Sequence, residues 1–151
     1  MEKTEEFLED AVARGAEVLT GGKRPQEFER GFFFEPTVLT SISGAMRLTC
    51  EEVFGPIMPI MSFRSTDEAV ELANSTTYGL ASYVFTDDLS VALHVAEALE
   101  SGIVGINDMV PATAEAPFGG MKESGTAREG GIEGLEAYLE TKYVSVALRR
   151  P

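Results

Sequence analysis

Cysteine and histidine occur once each in this chain. That excludes an internal disulfide and leaves too few soft ligands for a metal centre built on thiolates and imidazoles. A D-x-D-x-D-G calcium loop is also missing. Basic residues are scarce: 12 Lys and Arg stand against 25 Asp and Glu, a formal net charge of -13 at pH 7. Such a field repels a phosphate backbone, and no basic stripe interleaved with aromatics offsets it, so nucleic acid is not an expected partner. No apolar run approaches the ~18 residues of a membrane-spanning helix, so no membrane partner is expected either. The opening M-E-K-T-E-E-F lacks the basic-then-apolar order of a secretory leader, and a cytoplasmic setting is the expectation.

What the chain does have is ordinary globular usage. Its 151 residues, 44% of them apolar, fall within the size range of one domain and suffice for a sizeable core. Phe7, Leu8, Ala11 and Val12 recur at helical spacing behind Glu5 and Glu6, and A-E-V-L-T then runs into Gly21-Gly22, which reads as helix, short strand, turn. Phe32 to Thr40 is aromatic and β-branched, but Pro36 inside it predicts an edge or broken strand. Pro56 to Phe63 is a continuous apolar run of strand length, as in a sheet buried on both faces.

The second half alternates. Ser65-Thr-Asp-Glu68 is a capping box opening a helix with Ala69, Val70 and Ala73 inward. Leu80 to Thr86 reads as a strand. A helix from Asp87-Asp88 presents Leu89, Ala92, Leu93, Ala96 and Leu99 on one stripe and stops at Gly102, and Ile103 to Ile106 is again strand-like. This order implies the α/β class, with parallel strands joined by helical crossovers and ligands beyond the strands' carboxyl ends, where Asn107 and Asp108 stand. The Gly-rich, aperiodic segment to Thr126 reads as a functional loop. A helix through Ile132, Leu135 and Leu139 and a final alternating strand, K-Y-V-S-V-A-L, complete the chain.

No full catalytic constellation emerges from these residues alone. A reactive thiol needs cationic neighbours or a helix N-terminus, whereas Cys50 is followed at once by Glu51 and Glu52, which argues against a nucleophile. Phe54-Gly-Pro gives the glutamate pair a rigid frame, since glycine permits an unusual turn and proline fixes the backbone after it. The loop A-P-F-G-G-M-K-E-S-G-T-A-R-E-G-G could cradle an anion but lacks the G-K-[ST] ending of a P-loop. Ser124 is outside any G-x-S-x-G, and His94, set on a helix between Leu93 and Val95, reads as a packed or rim residue.

Seven stretches taken in order carry a resemblance: G-G-K-R-P, F-F-F-E-P-T-V-L-T, C-E-E-V-F-G-P, Y-G-L-A-S-Y-V-F-T, G-I-V-G-I-N, A-P-F-G-G-M-K-E-S-G and R-E-G-G-I-E-G-L-E-A-Y-L-E-T-K-Y. Together the chain resembles the C-terminal third of the aldehyde dehydrogenase superfamily, most closely its succinate-semialdehyde dehydrogenase branch. The resemblance implies the C-terminal portion of a catalytic domain over 1–141 and an oligomerisation strand with tail over 142–151, with Tyr143 to Leu148 joining a homo-oligomer.

It further implies that Glu52 binds the nicotinamide ribose hydroxyls of NAD or NADP and that Phe54 contacts the nicotinamide ring, leaving Cys50 a bystander and Glu51 without a role. Asp108, Val110, Ala112 and Phe118 would line the tunnel for a small-molecule aldehyde, and Glu129 would help relay protons. Where some enzymes of that branch place a serine that helps bind the substrate carboxylate, this sequence has Ala112, with Thr113 adjacent. The family's nucleophilic cysteine, general-base glutamate and oxyanion-stabilising asparagine belong upstream of the region matched. The chain is therefore expected to be a C-terminal piece of such an oxidoreductase, inactive alone. The alternative is a non-catalytic interaction or oligomerisation module derived from one.

Overall fold

The computed structural model describes residues 1–28 and 30–148. The chain divides into two compact units, Met1–Ala69 and Val70–Pro151.

The first unit begins with helix α1, Glu2–Ala13, which buries Thr4, Phe7 and Ala11, one residue per turn on a single stripe. Gly15 ends the helix in a left-handed conformation (φ 100) that a side chain would strain. From that turn Ala16 N–H reaches back to Ala11 O at 2.9 Å and Gly15 N–H to Val12 O at 3.0 Å, satisfying two of the orphan carbonyls. Strand β1, Glu17–Thr20, then pairs antiparallel with β2, Thr37–Thr40, which pairs parallel with β3, Ile57–Pro59.

The sheet order β1-β2-β3 puts β2 in the centre. The expected edge position is thus overturned, while the break at Pro36 holds. The proline precedes the ladder, so its missing N–H costs no hydrogen bond, and Thr37 N–H takes up pairing by donating to Pro56 O at 2.8 Å. The core under this sheet gathers Phe7, Ala11, Ala16, Leu39, Met46, Leu48 and Ile57.

The strand expected over Pro56 to Phe63 is shorter and more exposed than its composition suggested. Only Ile57 is buried, whereas Met58, Ile60, Met61 and Phe63 face outward. Among the described residues β3 is one of the sheet's two outer strands and pairs on one edge only.

Helix α2, Thr66–Asn74, contains the division between the units. Glu68 N–H donates to Ser65 Oγ at 3.2 Å as the capping box requires, but the Glu68 carboxylate turns to Arg64 N–H at 2.6 Å rather than to Ser65. Ala69 and Val70 are half-buried, but Ala73 is exposed.

In the second unit β4, Tyr78–Gly79, precedes β5, Ala81–Val84. Helix α3, Leu89–Ala98, then carries the chain to β6, Ile103–Ile106, which pairs parallel with β5. This is the anticipated strand, helix, strand crossover. Asp88 caps α3, its Oδ1 accepting from Ser90 N–H at 2.8 Å and Val91 N–H at 3.1 Å. Of the expected α3 stripe, Ala92 and Leu99 are buried while Leu89 and Leu93 are not, and the helix stops at Ala98, before Gly102.

Strand β7, Met121–Lys122, pairs antiparallel with β4. The helix expected through Leu139 shrinks to α4, Glu133–Glu136, followed by looser turns from Tyr138 N–H to Leu135 O and Leu139 N–H to Glu136 O. Ile132, Leu135 and Leu139 are exposed, so no buried stripe sustains a longer helix. Residues 141–148 form neither helix nor strand and lie exposed.

Candidate functional site

The glutamate pair sits on a segment tied down at both ends. Residues 47–49 form a short 3-10 turn, through which Glu51 N–H donates to Arg47 O at 2.8 Å. The Arg47 guanidinium closes the same turn by donating Nε–H to Glu51 Oε1 at 2.7 Å and a second N–H to Oε2 at 3.3 Å. It also lies 3.5 Å from a Glu6 carboxylate oxygen and over the Phe7 ring at 5.2 Å. The hydrogen bond from Arg47, reinforced by its charge, holds the Glu51 carboxyl below the ordinary glutamate value, and the same bond raises Arg47. Asp10 accepts Arg47 N–H at 2.9 Å, chiefly for which its own carboxyl is lowered.

At the far end Gly55 packs against α1. A methyl added there would stand 2.7 Å from Thr4 Oγ1. Its φ lies outside the left-handed region, so close approach, not the unusual turn expected, is what calls for glycine. Between the two ties the side chains alternate. Glu51 is held, Val53 packs against the core, and Glu52 and Phe54 face solvent, Phe54 being 82% exposed.

Glu52 makes no hydrogen bond or ion pair among the described residues. Its carboxylate is thus available to accept two hydroxyl hydrogen bonds from a ligand, beside an uncovered aromatic face. Cys50 is exposed, with Sγ 3.8 Å from Gly44 O and 3.7 Å from Thr49 Oγ1, and among the described residues no cation is in hydrogen-bonding contact with it.

In the second unit Phe118 and Glu129 form an antiparallel bridge, each N–H donating to the other's carbonyl at 2.7 Å. Around it Ala112, Thr113, Ala114, Phe118, Glu129 and Gly130 line an open depression of about 510 Å3. A smaller, apolar-walled cavity of about 190 Å3 shares Ala112, Thr113 and Phe118 with it.

The structure therefore brings together Ala112, Phe118 and Glu129, with Thr113 beside them, and leaves two expected residues outside the lining. Asp108 turns its Oδ1 onto Val110 N–H at 2.9 Å, and the Val110 side chain is 75% exposed. Ala114 and Gly130 join the wall with no sequence signal of their own.

Two cations anchor the glycine-rich loop. Lys122, at φ 54, donates Nζ to Asn74 O at 2.8 Å and Thr76 O at 3.0 Å while pairing with Glu100 at 2.6 Å. Arg128 donates to Gly120 O at 2.8 Å. Ser124 Oγ accepts Gly79 N–H at 3.1 Å, which gives that hydroxyl a structural role. The sole histidine, His94, is exposed on α3.

The profile of the aldehyde dehydrogenase family matches residues 1–144. A 3-sulfolactaldehyde dehydrogenase of Pseudomonas putida is 50% identical over 142 residues, 94% of this chain but 29% of its own length. A mitochondrial succinate-semialdehyde dehydrogenase of Rattus norvegicus is 47% identical over 144 residues, 95% of this chain and 27% of its length.

Among solved structures, betaine aldehyde dehydrogenase from Staphylococcus aureus in complex with NAD+ superposes with a TM-score of 0.89 at 48% identity, covering 93% of this chain and 28% of that one. Succinate-semialdehyde dehydrogenase from Burkholderia pseudomallei gives a TM-score of 0.87 at 46% identity, covering 97% and 30%. The chain thus spans less than a third of the length of these relatives.

Proposed function

Because the chain belongs to the aldehyde dehydrogenase family, we propose that it is the part of an aldehyde-oxidising enzyme that grips the nicotinamide half of NAD or NADP and walls one side of the aldehyde site. The observation that carries this reading is the outward pair Glu52 and Phe54, an unpaired carboxylate and an uncovered ring set two residues apart on a doubly tied segment.

The donor set fits the group. A carboxylate that accepts from both ribose hydroxyls fixes the sugar, and an aromatic ring limits how the nicotinamide can tilt. Bound there, the cofactor supplies the hydride acceptor. The chain's own residues bind and orient it, and Phe118, Ala112 and Thr113 line one wall of the depression. Glu129, in the same lining, offers a carboxylate that can take up a proton.

The aldehyde is assigned as one with an anionic tail, succinate semialdehyde in particular. Support comes from the relatives named for succinate semialdehyde and 3-sulfolactaldehyde. The Thr113 hydroxyl in the lining is this chain's neutral donor toward such a tail. Residues 143–148, exposed and with Val144, Val146 and Leu148 at alternate positions, are assigned to contact between subunits by strand addition.

Glu52→Gln tests the cofactor site directly. Losing a charged acceptor of two hydroxyl hydrogen bonds should cost about 1.5–3 kcal/mol, roughly a ten- to hundredfold rise in the dissociation constant for NAD+. Heteronuclear NMR titration of the chain with NAD+ measures it, and equal affinity in the variant would refute the assignment.

A further inference from the structure

Two adjacent carboxylates on a strongly acidic chain make a poor landing place for a dinucleotide, which carries its own anionic diphosphate. The structure removes one of those charges. The Arg47 fork neutralises Glu51, and because Arg47 O also accepts Glu51 N–H, the residue is fixed by main chain and side chain at once. Arg47 is itself immobilised by the Phe7 ring beneath it and by Asp10, which accepts its backbone N–H. With Glu51 held and Val53 packed against the core, the alternation of an extended segment leaves Glu52 and Phe54 pointing out.

We infer that Arg47, acting through Glu51, is a positioning residue for the nicotinamide clamp: it sets the direction of Glu52 and Phe54. This rests on the cofactor reading above. The size of the effect is bounded by exposure. Arg47 and Glu51 are partly open to solvent, and such pairs hold their partners only modestly, so the expected weakening of NAD+ binding is about two- to fivefold.

The test compares Arg47→Met, which keeps the stem over Phe7, with Glu51→Gln and the double variant, reading NAD+ affinity by NMR titration and the thermal midpoint by circular dichroism. Each single variant should lose about two- to fivefold in affinity, and the double variant no more than Arg47→Met, because both changes break the Arg47–Glu51 fork and the Glu6 contact is already lost in Arg47→Met. Arg47→Lys should recover part of the loss. Arg24→Met, which breaks the comparable fork to Glu5 (2.7 and 3.0 Å) away from the clamp, should lower the midpoint without touching affinity.

If Arg47→Met and Glu51→Gln shift only the midpoint while Glu52→Gln weakens NAD+, the positioning role falls and the clamp stands. If Glu52→Gln binds NAD+ as the parent chain does, the clamp falls and this inference with it. Should Arg47→Met fail to fold, Glu51→Gln decides alone, since its side chain is partly exposed and the change leaves its size intact.

Discussion

Gly55→Ala should be costly for a reason that a second substitution can remove. The new methyl would meet Thr4 Oγ1 at 2.7 Å, Cγ2 at 3.3 Å and Cβ at 3.5 Å, all on one buried side chain. Threonine carries two heavy branches and one hydrogen on Cβ, so turning χ1 can clear at most one of the two positions that face Gly55. Overpacking of this kind costs about 1–3 kcal/mol, and at this chain length each kcal/mol lowers the thermal midpoint by about 2–4 °C. Thr4→Ala deletes both offending branch atoms and leaves only Cβ. In that background the cost of Gly55→Ala should shrink, a coupling of about 1–2 kcal/mol between residues in contact. Urea denaturation of the four proteins, followed by circular dichroism, supplies the cycle. If Gly55→Ala costs the same with and without Thr4, glycine is required there for its backbone freedom, and the close-approach argument is wrong.

Two further outcomes are expected. Asp88→Ala should destabilise the chain by about 1 kcal/mol, because Ser90 N–H and Val91 N–H lose their acceptor, while Asp88→Asn should recover most of the loss in the same denaturation assay. Acid should also act through named carboxylates. Glu5, lowered chiefly by its bond from Arg24, Asp10, by Arg47 N–H, and Glu51, by the Arg47 side chain, all have depressed folded values, so their contribution is full above the unfolded values and lost as pH falls through the folded ones. The thermal midpoint should therefore decline as pH drops below the ordinary glutamate value of 4.5, and less steeply for Glu51→Gln than for the parent chain. Parallel declines would show that Glu51 contributes nothing to acid lability.

Elements were legible where the signal is local. Helix α1, the Asp88 cap and the Ile103 strand all depend on neighbours within a few residues, and each stands where the local pattern put it, although Thr4 and not Val12 completes the buried stripe of α1. The readings that failed depended on distant layers. The apolar run after Pro56 predicted a strand buried on both faces, and Ile132, Leu135 and Leu139 predicted a longer helix, but each requires a partner surface, and among the described residues these side chains, Ile57 apart, face outward.

The site divides in the same way. Glu52 and Phe54 emerged only from the resemblance, since composition gives adjacent glutamates equal standing. The separation of Glu51 from Glu52 was nonetheless open to inspection, because Arg47 lies four residues before Glu51, the spacing at which a turn of helix lets opposite charges meet. The bridge between Phe118 and Glu129 had no such signal, since pairing across an irregular loop depends on backbone geometry that no periodicity reports.

That bridge also couples two properties of the wall. Two main-chain bonds weld the aromatic position to the acidic one, so neither can shift without dragging its opposite number. A replacement at 118 that shifts the main chain there will also shift the main chain that bears the carboxylate at 129. Where that backbone moves, the shape of this surface and the place of its charge therefore move jointly.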